Sequence, residues 1–254
     1  MKLTIIGSGN MALALIAGLV DRYEIEVVAR DEKKLQKIKQ QFNNIKTIQL
    51  NNSFNIEDKN IILCVKPYSL DNISSILQGR ANALFSILAG TTLKSLKDKI
   101  NSKNYTRVMP NLAAFYGSSL TTITGDIITK EISLEIFSSI GRALWLDSEN
   151  ELDIATAIAG SGPAYLALVA ESLADGGVKM GLKRDDSKAI VSGLFSGFAS
   201  LIQNIEAPTI KDQVMSPAGT TACGVASLED SNIRSAFIKS VEAAYLQAKE
   251  LAKK

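Results

Sequence analysis

Three segments of this 254-residue sequence carry residue types whose spacing suits ligand chemistry. The first, Gly7-Ser8-Gly9-Asn10-Met11-Ala12, has the spacing GxGxxA. Gly7 permits a tight turn, Gly9 removes a side chain where a pyrophosphate would approach, and Ala12 is small enough for close packing of helix on strand. Free N–H groups at the start of the following helix would hold the phosphates. The second and third, Ala159-Gly160-Ser161-Gly162-Pro163-Ala164-Tyr165 and Met215-Ser216-Pro217-Ala218-Gly219-Thr220-Thr221-Ala222, are rich in glycine and hydroxyl groups. Ser161 reads as a helix N-cap with Pro163 in the first turn, which explains that segment structurally while leaving helix-start amides able to receive a carboxylate. Ser216, Gly219, Thr220 and Thr221 make a neutral, donor-rich anion nest beside a second helix start. Each segment alone has an explanation as a cap; the pair points to a site.

The chain contains no histidine. That excludes a Ser-His or Cys-His nucleophile, a histidine base and any metal site built on imidazole, so no metal is expected. Cys64 and Cys223 stand far apart in unlike contexts, which argues against a structural disulfide and for a reducing cytoplasm. Cys64 reads as a small core residue.

These segments need elements to position them. Residues 2–6 are β-prone and 10–22 helical, 24–30 (EIEVVAR) reads as a second strand and 31–42 as a charged helix. Strands follow at KTIQL, NIILCV, ALFSIL, TRVM, SLTTIT and ALWL. This alternation predicts an α/β domain with a largely parallel, doubly wound sheet over residues 1–148. Lys2 followed by LTIIGSGNMALALIAGLV resembles a signal peptide or membrane span, but GSGN interrupts the apolar run and Asp21-Arg22 closes it early. From residue 149 to 254 every run reads as helix, with Phe237, Val241, Ala244, Ala248 and Leu251 forming one apolar stripe. Ala189, Gly193 and Gly197 recur at every fourth position and would let backbones approach. So much apolar helix is economically covered by a second copy, which predicts a homodimer. The halves on either side of residue 150 carry net +4 and −2, and the positive half is the one expected to hold an anionic cofactor. The whole chain at +2 offers no basic stripe for nucleic acid.

At the end of the second strand, where an NAD enzyme usually places a carboxylate on the ribose, stand Ala29 and then Arg30. A cation there suits a 2′-phosphate, which favours NADP over NAD. Asp31 is read as the N-cap of the following helix. Val65, Lys66 and Pro67, then Ala89-Gly90, then Arg107-Val108-Met109-Pro110-Asn111 fall after successive strands, at the carboxyl edge where such a sheet binds its ligand.

In order along the chain, IIGSGNMA, CVKP, RVMPN, AGSGPAY and SPAGTTACGVASLE resemble the pyrroline-5-carboxylate reductase family, and the resemblance covers essentially the whole sequence. It implies NAD(P)H-dependent reduction of the cyclic imine 1-pyrroline-5-carboxylate to L-proline, the last step of proline biosynthesis, with an N-terminal Rossmann domain and an all-α C-terminal dimerisation and substrate-binding domain. It also implies dimers or rings of dimers. Ser8, Asn10 and Met11 would line the cofactor turn, Arg30 would face the 2′-phosphate, and Val65, Lys66 and Pro67 would lie along the dinucleotide. Ser216 and Thr220 would grip the substrate carboxylate, with Gly219 in the same turn and the Thr221 hydroxyl near the ring nitrogen as the catalytic group. Two departures stand out: Ala29-Arg30-Asp31 in place of Asn-Arg-Ser, which bears on NADPH against NADH, and Ala218 in place of a usual glycine, which bears on the fit of the loop. The alternatives are a non-catalytic NADPH-binding regulator, and a β-hydroxyacid or ketopantoate type dehydrogenase, for which Lys179 would be the acid/base; a solvated helix-end lysine is the plainer reading of Lys179.

Overall fold

A computed structural model describes residues 1–252; Lys253 and Lys254, the last two residues of the expected terminal helix, lie outside the described residues. The chain divides into two compact units, residues 1–161 together with those from 243 onward, and residues 162–242.

In the first unit the strands are β1 (Lys2–Ile6), β2 (Glu24–Ala29), β3 (Lys46–Gln49), β4 (Phe54–Asn55), β5 (Asn60–Leu63), β6 (Leu77–Gln78), β7 (Ala83–Ser86), β8 (Tyr105–Met109), β9 (Ser119–Gly125) and β10 (Gly141–Trp145). Eight of them form one sheet in the order β10-β9-β8-β7-β5-β1-β2-β3, while β4 and β6 pair separately. Every neighbouring pair in the large sheet is parallel except β8 with β9, so the parallel sheet expected from the alternation of elements is present. Leaving out the two-residue strands, β3-β2-β1-β5-β7-β8 is the order of a dinucleotide-binding doubly wound sheet, with its switch point beside β1. Helices α1 (Asn10–Leu19), α2 (Glu32–Gln41), α3 (Leu70–Ser74), α4 (Leu93–Lys99), α5 (Lys130–Phe137) and α6 (Glu149–Ala155) connect or follow the strands.

Both faces of the sheet are covered, as side chains alternating along each strand require. Leu3, Ile5, Val27, Ile62 and Phe85 pack with Ala12, Leu15 and Ile16 of α1 and Ile136 and Phe137 of α5. Ile6, Val28, Ile61, Leu63 and Leu84 pack on the opposite face with Ile73 and Leu96. Phe85 and Phe137 meet edge to face, ring centroids 6.0 Å apart. One acid is buried in this sheet: Glu26 of β2 is 1% exposed. It accepts from Thr4 Oγ1 at 3.2 Å and pairs with Lys59 at 3.1 Å, Lys46 at 3.4 Å and Lys2 at 3.5 Å. Burial pushes its carboxyl up, but hydrogen bonding and charge from Lys59, with Lys2 and Lys46, hold it below the usual carboxylate range.

The second unit is helical: α7 (Gly162–Lys179), α8 (Arg184–Ile202), α9 (Ala207–Val214), α10 (Thr220–Asp230) and the start of α11 (Ile233–Leu251). Its apolar faces are largely bare. Among the described residues α10 and α11 contain no buried side chain, α7 only Ala174, and α8 only Ser187 and Val191. The end of α11 belongs to the first unit, where the Tyr245 hydroxyl donates to Asn150 Oδ1 at 2.8 Å and Lys249 Nζ lies 3.7 Å from Asp153 Oδ2. Leu251 packs there so closely on Gly90 that a Cβ at that glycine would lie 2.8 Å from the leucine's own.

Candidate active site

The carboxyl edge of the large sheet gathers the first set of expected residues. β1 ends between β2 and β5, and Gly7 turns the chain there with φ +133°, its N–H donating to Val28 O at 2.8 Å. A Cβ on Gly7 would overlap the Cys64 carbonyl oxygen and lie 2.7 Å from its carbon, so glycine is demanded by both φ and close approach. A Cβ on Gly9 would instead meet nothing within 4 Å, which leaves open space in front of the turn. Gly9 is the N-cap of α1, with extended backbone, no side-chain cap and no acid in the first turn. The first N–H groups of α1, from Asn10, Met11 and Ala12, therefore have no helical acceptor and no competing carboxylate. Ser8 and Met11 are half-buried and Asn10 is exposed. This donor cradle, at the positive end of a helix, fits the pyrophosphate of a dinucleotide.

Arg30 follows directly on β2 and is exposed, its carbonyl accepting from Gln49 Nε2 at 3.5 Å. Asp31 is taken up as the N-cap of α2, accepting from the Lys34 N–H at 3.0 Å. The acid is thus occupied as a cap, while the Arg30 side chain is exposed at the carboxyl end of β2. Past β5, Val65 is half-buried and Lys66 exposed; Lys66 caps a 3-10 turn, Pro67–Ser69, that Pro67 opens. Proline suits that first position because a backbone N–H there would have no helical partner. Cys64 is buried, and burial pushes its thiol up, which keeps it unreactive.

Two residues, one within β8 and one just beyond it, carry more structure than the sequence suggested. Arg107 is 3% exposed. Its Nη1 donates to Glu149 Oε1 at 2.9 Å and its Nη2 to Asp153 Oδ1 at 2.8 Å, gripping α6 on one face, while its Nε is buried without a partner. Glu149 Oε1 also accepts the Leu93 N–H that opens α4, at 2.8 Å. Asn111, two residues beyond β8, donates from Nδ2 to the Ala159 carbonyl at 3.0 Å and accepts at Oδ1 from the Ala113 N–H at 3.0 Å. Nothing in the local pattern marks these contacts, because their partners lie some 40 to 50 residues away.

The Ala159–Tyr165 segment corrects the sequence reading. Ser161 is not an N-cap, since it has helical backbone (φ −89°, ψ −25°) and follows a π-turn, Thr156–Gly160, that continues α6. Its N–H reaches back five residues to Thr156 O at 3.1 Å. No free helix start is formed there, and no carboxylate site follows from one.

The second set of residues comes together in the helical unit. Gly219 N–H donates to Ser216 O at 3.0 Å, closing a four-residue turn with Pro217 second and Ala218 third. Ala218 has φ +59°, the left-handed value that the third position of a type II turn requires. A Cβ on Gly219 would overlap Ser216 Oγ and lie 3.1 Å from Ser216 O, so the serine hydroxyl is folded over the glycine. α10 starts at Thr220 with Gly219 as its N-cap, without a side-chain cap or an acid in the first turn. Thr220 and Ser216 are exposed and Thr221 half-buried. The hydroxyl residues Ser216, Thr220 and Thr221 and the first amides of α10 thus share one helix end, an arrangement able to receive a carboxylate. Lys179, by contrast, is the exposed last residue of α7, placed where a cation favours a helix end.

Residues 149–251 match the family model for pyrroline-5-carboxylate reductase dimerisation, and residues 2–90 match one for NADP oxidoreductase, coenzyme F420-dependent. A pyrroline-5-carboxylate reductase of Helicobacter pylori strain J99 is 34% identical, the match spanning 93% of this chain and 95% of that protein. One from Synechocystis is 36% identical across 100% and 99% of the two chains. Among solved structures, the reductase of Streptococcus pyogenes superposes with a TM-score of 0.86 at 27% identity, over 98% of each chain. The Plasmodium falciparum pyrroline carboxylate reductase, solved with NADP bound, gives 0.81 at 29% identity, over 99% of this chain and 100% of that one. Similarity at this level over the full length places the chain in the pyrroline-5-carboxylate reductase family.

Proposed function

We infer that this protein reduces 1-pyrroline-5-carboxylate to L-proline with a reduced nicotinamide dinucleotide, the final step of proline biosynthesis. The observation that carries this reading is the pairing, in one chain of this family, of an uncapped dinucleotide cradle at Gly7–Met11 with an uncapped, hydroxyl-rich helix end at Ser216–Thr221. When bound, the reduced nicotinamide supplies a hydride to the imine carbon, and the ring nitrogen takes up a proton as the oxidised cofactor forms. The chain's residues bind and orient.

Gly7 shapes the turn, its own N–H being engaged with Val28 O, and Ser8, Gly9, Asn10 and Met11 hold the pyrophosphate through backbone N–H groups. Arg30 faces the ribose 2′-phosphate, which makes NADPH the preferred donor over NADH. Val65, Lys66 and Pro67 lie along the dinucleotide beyond β5. Ser216 and Thr220 grip the substrate carboxylate, Gly219 lets the serine hydroxyl fold inward, and the Thr221 hydroxyl stands by the ring nitrogen, where it or a water it holds delivers the proton. The chain has no histidine to take that part. The exposed helix-end position of Lys179 gives the lysine-dependent dehydrogenase reading nothing to work with.

The apolar faces left bare in the helical unit belong against a second copy, in keeping with the dimerisation model that spans them. We extend this to rings of dimers, to a boundary near residue 148 between a cofactor domain and a dimerisation domain, and to a cytoplasmic location. The stretch Glu149–Lys179 is long and apolar enough to cross a membrane by length and composition alone. The dimerisation model that spans it supports covering its apolar surface with protein.

The test is direct. Purified protein mixed with pyrroline-5-carboxylate and NADPH or NADH is followed by the absorbance of the reduced nicotinamide; turnover with NADPH preferred is expected. No oxidation of either cofactor would favour a regulator, and oxidation only with 2-keto acids would favour the other dehydrogenase class.

A further inference from the structure

The Ala159 carbonyl is in an unusual position. In an α-helix it would receive the N–H of residue 163, but residue 163 is proline and has none. The helix answers with the π-turn at Thr156–Gly160, and the orphaned carbonyl takes the side-chain amide of Asn111 instead, at 3.0 Å. Asn111 is held from all sides. Its Oδ1 accepts from the Ala113 N–H, capping the 3-10 turn Leu112–Tyr116, and its own N–H donates to Ser119 Oγ at 3.1 Å. The amide is thereby oriented: oxygen toward its own turn, nitrogen toward the helix. Ten residues before Ala159, the same helical stretch begins at Glu149, where Arg107 grips it.

Asn111 lies two residues beyond β8, on the side of β1 opposite to Arg30. In a sheet of this order the two sides of the switch point take the two mononucleotide halves, so with the phosphate-bearing adenosine beside Arg30 the nicotinamide lies on the β5-β7-β8 side. We propose that Asn111 is a positioning residue for hydride transfer: its hydrogen bond to the Ala159 carbonyl fixes the Ala159–Ser161 stretch against the sheet edge at the nicotinamide half of the crevice. This rests on the reductase reading above. Asparagine is the residue the task needs, because Oδ1 must accept while Nδ2 donates, and aspartate supplies only the first of these functions.

The experiment compares Asn111→Asp, which keeps the cap on Ala113 and loses the donor, with Asn111→Ala and the wild type. Both variants should lose about tenfold to a hundredfold in kcat, with KM for NADPH and imine held within about twofold. The isotope effect with NADPH deuterated at the transferred position should rise as hydride transfer becomes limiting. Independently of turnover, amide exchange at Ser161 should quicken at least about tenfold in both variants of the ligand-free protein. Pro163→Ala restores the missing N–H, so adding Asn111→Ala to that background should quicken exchange much less. Wild-type kcat in Asn111→Asp, unchanged exchange at Ser161, or an equal effect of Asn111→Ala in both backgrounds would overturn the proposal. A wild type that leaves the imine unreduced would remove the hydride step and the positioning role with it, while the exchange data would still report whether the clamp exists.

Discussion

Replacing Ala218 with glycine should make this protein more stable, although nearly every Ala-to-Gly change does the reverse. Ala218 sits at φ +59° in the turn that leads into α10. A side chain with a Cβ costs roughly 1–2 kcal/mol in that region. Glycine removes the penalty, and gives back about 0.4–1 kcal/mol because the unfolded chain becomes freer. The net gain is on the order of 0.5–1 kcal/mol, or about 1–4 °C in Tm for a chain of this size. Urea unfolding of wild type and variant at one protein concentration measures it, since dimer formation would otherwise shift both curves. The turn keeps its shape, so KM for the imine should stay within about twofold. The neighbouring change Gly219→Ala should act in the opposite sense: its methyl would displace the Ser216 hydroxyl and raise KM for the imine. A less stable Ala218→Gly would refute the reasoning, because it would mean that the left-handed turn is not what the folded protein holds.

Gly7→Ala should abolish cofactor binding and cost more than about 3 kcal/mol, since its methyl would overlap the Cys64 carbonyl at a backbone angle closed to alanine; NADPH fluorescence titration and thermal melting read the two effects separately. Arg30→Ala should raise KM for NADPH about tenfold and leave KM for NADH nearly unchanged, the loss of one charge-assisted contact of about 1.4 kcal/mol; equal effects on both cofactors would remove Arg30 from the 2′-phosphate. Glu26 makes acid sensitivity predictable: its folded carboxyl titrates below its ordinary value of 4.5, so its contribution is complete above that pH and is lost as pH falls through the lower folded value. Glu26→Gln should flatten that acid limb and cost about 3 kcal/mol at neutral pH, measured by urea unfolding across pH; an unchanged pH profile would show that the lysines do not hold the carboxylate.

The parts of this molecule legible in sequence are those whose cause is local. Apolar runs at KLTII, EIEVVA and NIIL form strands because both faces of a parallel sheet are buried, and GSGNMA and SPAGTT announce turns because glycine and proline restrict the backbone there. Asp31 is readable as a cap for the same reason. The π-turn escapes such a reading. Gly160, Ser161, Gly162 and Pro163 spell a helix start, and only Asn111, 48 residues from Ala159, makes it tolerable for the helix to run on. Glu26 is likewise silent, an acid in an apolar strand until lysines from positions 2, 46 and 59 converge on it. The strands β4 and β6 are two residues each, too short for any periodicity to show.

The return of α11 to the sheet-bearing unit sets an order of events during synthesis. Tyr245, Lys249 and Leu251, which meet Asn150, Asp153 and Gly90, leave the ribosome only after the whole of residues 162–242. The strands and α1 can assemble early, but the patch around Gly90 and Asp153 stays open until that last helix arrives. A nascent chain stalled in α10 would therefore expose both an unfinished sheet unit and the bare helical faces, the point at which a chaperone has most to shield.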